Sequence, residues 1–446
     1  MSERAARAWT TSYRAGWVLP ISAPPIAGGA VVIEGGRIVW VGRAGDEPSL
    51  SRARVVELGN SVVAPGFVNA HTHLDLTVLQ GLCDGLPFFD WIRAVVACRD
   101  ELTDDELRDS ARLGVIRGLE AGITTFADTA PVAASFDAML EFGVRGIAYQ
   151  ELFGPDPAGT QSALAALAER VAAMRARATP LVRVGVSPHA PYSVSDDLYT
   201  AAAAFARREG VPMATHLAES DAETALVVRG EGPFAGFLGS RGISAAPRAV
   251  SPVALLARLG ALGPDMLLIH CVQCDQSDVD TIARSGATVV TCPRSNDYFA
   301  HGRAPARAFL DAGVRLGVGS DSMASNASMD PLAEASATFV ADGAAQIADH
   351  WRLATIGGAE ALGLDSRIGT LEVGKDADLS VFPIDGGGAS DGYSAVTAGT
   401  RASHVIVAGV ERLRAARVGG NADGVAKRAK AAAQRLREWR ARAAPS

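Results

Sequence analysis

A chain of 446 residues, 48% apolar and 20% charged, can bury one large barrel with an accessory domain, or two to three ordinary domains. Its net charge of −7 speaks against a nucleic-acid partner. No run is long and apolar enough to span a bilayer, and no apolar core follows the charged start Met1-Ser-Glu-Arg-Ala-Ala-Arg7, so a cytoplasmic protein without a membrane partner is expected. The five cysteines read as buried thiols, and the lone Cys271-Val-Gln-Cys274 is a weak signal for a structural metal.

Residues 1–66 hold short β-prone runs, Gly16–Pro20 and Gly29–Ile33, and Gly35-Gly36 turns the chain into Arg37–Gly42 as a hairpin. They read as the first part of a small β domain. Ser61-Val-Val-Ala64 then leads through Pro65-Gly66 into Phe67-Val-Asn-Ala-His71-Thr-His73, a buried strand that delivers two imidazoles to an exposed end. Alternate residues of an extended segment share a side, so His71 and His73 can reach one metal ion.

From there strands and helices alternate. Strands are expected at 124–127, 144–149, 181–186, 211–216, 266–270, 287–291 and 314–319, with amphipathic helices between them, among others at 104–121, 160–178 and 195–209. With the strand before His71 this makes eight β units, which predicts an α/β fold, a (β/α)8 barrel over residues 67–365. A doubly wound sheet is the alternative, but no Gly-x-Gly-x-x-Gly follows an early strand. β character returns in residues 366–424, read as the second part of the β domain, so that the barrel is inserted into a composite β-sandwich. Gly386–Gly392 reads as a flexible loop. Residues 425–446 are Ala-rich and basic, a C-terminal surface helix whose charges are solvated or meet a second subunit in a possible homodimer.

The polar residues fall into place on this frame. In (β/α)8 enzymes the working groups sit at the C-terminal ends of the strands, where the βα loops meet. His71, His73, His216 and His270 close strands, His189 lies just beyond one, and Asp321 follows the eighth; His301, His350 and His404 do not and receive no role. One such histidine is more often a satisfied core residue than a ligand. Several on one rim point to chemistry on a small-molecule substrate.

Pro65-Gly-Phe-Val-Asn-Ala-His-Thr-His73, Pro188-His-Ala-Pro-Tyr-Ser193, His216-Leu-Ala-Glu219, Cys292-Pro-Arg-Ser-Asn296, Gly319-Ser-Asp321 and Gly369-Thr-Leu-Glu-Val-Gly-Lys-Asp-Ala-Asp378 together resemble the amidohydrolase superfamily, in the branch of the cytosine, guanine and S-adenosylhomocysteine deaminases and the triazine hydrolases. The resemblance spans nearly the whole chain. It implies His71, His73, His216 and Asp321 as ligands of one divalent ion, with zinc favoured and iron or manganese tolerated. Binuclear relatives carry a carboxylated lysine at the fourth strand, and residues 181–189 contain no lysine, which favours a single metal.

The same resemblance makes Glu219 the shuttle between water and a ring nitrogen. It makes His270 a hydrogen-bonding partner of the attacking water, and Asp321 the group that passes a proton to the departing amine. His189 becomes a substrate contact. Hydrolytic deamination is the reaction expected. Displacement of chloride or an alkylamine from a triazine is the second enzyme class considered, and a non-catalytic scaffold, which would lack the ligands, is the third.

The loop after the first strand, Leu86-Pro-Phe-Phe-Asp-Trp-Ile-Arg-Ala-Val-Val-Ala-Cys-Arg-Asp-Glu-Leu102, is similar to that of the aminodeoxyfutalosine deaminases of menaquinone biosynthesis, which carry Glu where Asp75 stands. Phe88, Phe89 and Trp91 would wall an aromatic pocket, or in part belong to the core. The benzoate of 6-amino-6-deoxyfutalosine needs a cation, for which Arg93, Arg99 and Arg294 are candidates. The expected substrate contacts are therefore His189, Arg294 and Trp91, with S-adenosylhomocysteine, methylthioadenosine and adenosine as poorer substrates.

Overall fold

The computed structural model describes residues 10–48, 54–340, 342–384, 391–419 and 421–443. Eight strands form one parallel sheet in sequential order: Phe67–Thr72, Ile123–Ala130, Arg145–Leu152, Val182–Pro188, Met213–Leu217, Met266–His270, Thr288–Thr291 and Leu316–Val318. A parallel bridge from Thr72 to Asp321 brings the end of the first strand against the segment after the eighth, so the sheet closes into the expected barrel. Most of these strands are buried along their whole length, as a sheet covered by helices outside and packed side chains inside requires. The helices start where the sequence offers caps. Thr103 and Glu106 form a capping box at Asp104–Glu120, and the Ser195 side chain accepts from the Leu198 N–H at Asp196–Glu209.

A second sheet of nine strands takes its members from both ends of the chain. Thr11–Val18, Ile26–Glu34, Arg37–Arg43, Arg54–Glu57 and Ser61–Pro65 come from the N-terminal side. They join Leu379–Pro383, His404–Val407, Val410–Arg414 and Arg417–Val418 through antiparallel pairing of Ser61–Pro65 with Leu379–Pro383. This sheet has its own core of Tyr13, Val31, Ile38, Val63, Leu379 and Ile406.

Two expectations change. The apolar run Ser61–Ala64 is not the start of the strand that bears the histidines. It belongs to the outer sheet, and the barrel strand begins at Phe67. Gly66 is the joint, packed so tightly on the second strand that a Cβ there would overlap the Thr124 side chain. The basic C-terminal helix, Ala422–Ala443, is also not simply solvated: Arg428 pairs with Asp109 at 2.6 Å and Arg435 with Glu106 at 2.6 Å on the helix Asp104–Glu120. Most of the loop read at 386–392 lies outside the described residues. No helix among them is long and apolar enough to cross a membrane.

The barrel and the outer sheet are joined by a buried charge cluster. Arg145, 1% exposed at the start of the third barrel strand, donates from Nε to Asp378 at 2.7 Å and from Nη2 to Asp376 at 2.9 Å. Both carboxylates come from the Gly-Lys-Asp-Ala-Asp motif, which thereby acquires a structural purpose.

Candidate metal centre and substrate cavity

The groups expected at the C-terminal rim of the barrel converge. His71 Nε2 lies 3.2 Å and His73 Nε2 3.5 Å from Asp321 Oδ1, and His73 Nε2 lies 3.3 Å from His216 Nε2. Four donors placed about 2.0–2.1 Å from one ion at tetrahedral corners are about 3.3 Å apart, so these spacings are those of a zinc-sized site.

Protonation agrees with that reading. His216 donates from Nδ1 to the His189 carbonyl at 3.0 Å, which leaves Nε2 as a bare lone pair. Ser295 donates to Asp321 Oδ2 at 2.6 Å, leaving Oδ1 toward the imidazoles. Both ring nitrogens of His71 are buried with no hydrogen-bond partner. Burial pushes the His71 pKa down to about 4, so at neutral pH the ring is uncharged and free to ligate. A cluster of lone pairs this close is unfavourable without a cation, and the donor set fits a divalent metal.

Backbone strain accompanies these placements. His270 and Asp321 sit at φ of 75° and 57°, in the left-handed region that non-glycine residues avoid. The Asp321 N–H is held there by the His71 carbonyl at 3.1 Å.

Around the cluster lies a cavity lined by His73, Trp91, His189, Glu219, His270 and Asp321, among others. Glu219 Oε1 is 3.7 Å from His270 Nε2 and 3.9 Å from His301 Nε2. Burial, and then the Asp321 charge, push the Glu219 pKa well above the usual carboxylate range. His270 donates from Nδ1 to Asn296 Oδ1 at 2.9 Å, so its Nε2 faces the cavity as an acceptor. His189 Nδ1 is 2.7 Å from Ser193 Oγ, whose own proton goes to the Ala190 carbonyl. Burial and the neighbouring His73 hold the His189 pKa down at about 3. A larger cavity of about 660 Å³ opens among Arg183, Arg207, Met213 and Arg315, but no metal-ligand cluster lies there among the described residues.

Not every expected contact arrives. Trp91 and Phe88 line the cavity with Phe299, whereas Phe89 packs on Phe234 and Phe237. Arg294 does not line it. Its guanidinium is engaged by Ser328 at 3.0 Å and by Glu334 at 3.5 Å, because the short helix that carries it presents Asn296 and Ser295 to the site instead. Of the three arginines considered, Arg99 reaches the cavity.

Two groups were missed by sequence reasoning. His301, given no role, lies beside Glu219 and packs edge-on against Phe88 at 4.6 Å. Its only clue was its position five residues after Asn296. Glu151, at the end of the third strand, places a carboxylate oxygen within 4.8 Å of ligating atoms of His189 and His216.

The amidohydrolase family model matches residues 62–411. The chain belongs to the amidohydrolase family. This amidohydrolase is 34% identical over 370 residues to a 5-methylthioadenosine/S-adenosylhomocysteine deaminase of Syntrophobacter fumaroxidans, with 79% of each chain covered. It is 33% identical to the enzyme of that name in Moorella thermoacetica, covering 81% of this chain and 83% of the relative. Among solved structures it resembles an adenosine deaminase from Xanthomonas campestris with bound zinc, at a TM-score of 0.81, 26% identity, and 96% and 98% coverage. The fold is shared too with the aminofutalosine deaminase of Helicobacter pylori, at a TM-score of 0.79, 20% identity, and 90% and 99% coverage.

Proposed function

We propose that this amidohydrolase is a zinc-dependent hydrolytic deaminase of a 6-aminopurine nucleoside, and that 6-amino-6-deoxyfutalosine, converted to futalosine with release of ammonia, is its substrate. The observation that carries deamination is Glu219, a carboxylate buried in the cavity beside the His71–His73–His216–Asp321 cluster and 3.7 Å from His270 Nε2, where it can pass a proton between water and a ring nitrogen of the substrate.

A divalent ion held by those four residues supplies, when bound, activation of water as a nucleophile near neutral pH. The remaining work belongs to the chain. Glu219 takes a proton from the attacking water and delivers it to the ring nitrogen beside the carbon under attack. His270, its tautomer set by Asn296, accepts a hydrogen bond from that water through Nε2. Asp321 passes the second proton to the departing amine. Phe88, Trp91 and Phe299 offer aromatic surface to the base, and His189 Nε2 remains free to meet the substrate.

The choice of aminodeoxyfutalosine is supported by the sequence pattern from His71 to Leu74, from which Asp75 then departs, and by the aromatic segment after it. The presence of Arg99 in the cavity supports it as well, since its Nη atoms can meet a carboxylate. A second reading, deamination of methylthioadenosine or S-adenosylhomocysteine, is favoured by the names of the curated relatives. Ammonia release by zinc-loaded protein from aminodeoxyfutalosine, methylthioadenosine, S-adenosylhomocysteine, adenosine and a chlorotriazine separates these readings. A turnover preference for aminodeoxyfutalosine supports the first. Turnover of the other nucleosides alone would replace it with the second, and activity on the triazine alone would remove deamination of nucleosides.

A further inference from the structure

Glu219 has a second imidazole beside it that the proposed chemistry does not use. His301 Nε2 lies 3.9 Å from Glu219 Oε1, is buried, and has no hydrogen-bond partner. The ring does not line the cavity. It packs edge-on to Phe88 at 4.6 Å and stacks on Phe299 at 5.3 Å, the two aromatics that do. Its side chain is 8% exposed. Burial, and then His270, hold its pKa down at about 4, so at neutral pH the ring is uncharged and carries one proton.

The backbone is arranged around this approach. Ala218, directly before Glu219, and Ala300, directly before His301, sit at φ of 50° and 55°, in the left-handed region that a residue with a Cβ avoids. Gln273 spans the two segments: its N–H donates to the Ala218 carbonyl at 2.7 Å, and its side-chain amide donates to the His301 carbonyl at 2.8 Å. The Glu219 N–H is held by Glu223 Oε2 at 3.0 Å, and the His301 N–H by the Asn296 carbonyl at 2.9 Å. Strain of this kind persists where the surrounding structure over-determines the placement of a side chain.

We infer that His301 is a positioning residue for Glu219: its Nε2–H donates to Glu219 Oε1 when substrate is bound, and so fixes the carboxylate with its other oxygen toward the attacking water. A carboxylate only accepts, so the single proton of the ring belongs on Nε2. His270 cannot do the same work. It donates from Nδ1 to Asn296, which turns a lone pair toward Glu219 Oε1 at 3.7 Å. The other charges that Glu219 feels are acids, Asp321 and Glu223, and with burial they oppose the ionised form that a base requires. An N–H from His301 offsets them. The gap of 3.9 Å is longer than a hydrogen bond, as catalytic contacts commonly are before substrate tightens them.

This inference rests on the deaminase reading and deepens it. The test compares zinc-loaded wild type, His301→Phe and His301→Gln, each with and without Glu219→Gln, on the aminopurine nucleoside that the wild type turns over best. Phenylalanine keeps a ring to pack on Phe88 and Phe299, and glutamine sets an N–H where Nε2 stood. His301→Phe should lower kcat about 10–100-fold with KM within about twofold and zinc content unchanged, and His301→Gln should recover most of that loss. In the Glu219→Gln background, His301→Phe should cost less than about twofold, because no proton carrier is left to position. Unchanged kcat in His301→Phe, an equal loss in both variants, or the full loss on top of Glu219→Gln would overturn the inference and leave the deaminase intact. If the wild type deaminates no aminopurine, the proposed function fails, and the ring tautomer decides the contact on its own. Nitrogen NMR of isotope-labelled histidines in the zinc-loaded protein reads it, with the His301 signal identified by its loss in His301→Phe. A proton on Nε2 upholds the contact, and a bare Nε2 overturns it.

Discussion

Replacing Arg145 by Met should destabilise the fold by about 3–5 kcal/mol, the cost of breaking a buried ion pair from one side. Arg145 makes three hydrogen bonds to Asp376 and Asp378, at 2.7, 2.9 and 3.0 Å, and is 1% exposed. Burial opposes its charge, but the two carboxylates more than compensate and hold its pKa above the ordinary value. Asp376 would keep Arg367 at 2.6 Å and Arg37 at 3.2 Å. Among the described residues, Asp378 would keep one side-chain hydrogen bond, from the Ala408 N–H at 2.8 Å, and no ion pair, so it would be left buried and charged with only the more distant Arg412 guanidinium to offset it. Methionine fills much of the volume, so the loss is electrostatic and not that of a cavity. Urea unfolding followed by circular dichroism reads the change as a fall in midpoint. The double variant Arg145→Met/Asp378→Asn removes the stranded charge and should recover part of the loss, as residues in contact do in a double-mutant cycle. A single-variant cost below about 1 kcal/mol, or a double variant as unstable as the sum of the singles, would refute the assignment of this cluster as the joint between barrel and outer sheet.

His71→Ala or Asp321→Ala should lose bound zinc together with activity, and full metal occupancy by elemental analysis in folded His71→Ala would contradict the ligand set. Glu219→Gln should keep the metal while kcat falls roughly 10²–10⁴-fold, since the amide retains the shape but moves no proton; near-normal turnover would remove Glu219 from the mechanism. Asn296→Leu frees the His270 tautomer and should cost about 10–100-fold in kcat at unchanged zinc content, which titration of the metal and steady-state rates together decide. The chelator-stripped protein should lose stability on acidification. The His71 pKa of about 4 lies below its unfolded value of 6.5, so the unfolded chain takes up the proton first. The contribution is complete above pH 6.5 and disappears as pH falls through 4; a Tm that stays flat from pH 7 to 4.5 would exclude it.

The His71–His73 pair, the run of strand-helix units and the histidines that end strands are local patterns, and a period of two or 3.6 residues is written in the order of side chains itself. That is why the barrel, its metal-ligand candidates and the return of the C-terminal strands to the N-terminal sheet could be anticipated. Which arginine reaches the cavity could not: Arg294 and Arg99 look alike as residues, and only the packing of Ser328 and Glu334 around Arg294 takes it out of the site. The place where the outer sheet hands over to the barrel was equally hidden, because Ser61–Pro65 and Phe67–Thr72 are both apolar, and the contact of Gly66 with Thr124 that divides them crosses 58 residues of chain. His301 and Glu151 belong to the same class. Each is an ordinary polar residue in sequence, and each acquires meaning from neighbours on other strands and loops, since burial and an unmet hydrogen bond are properties of the assembled fold and not of any segment of it.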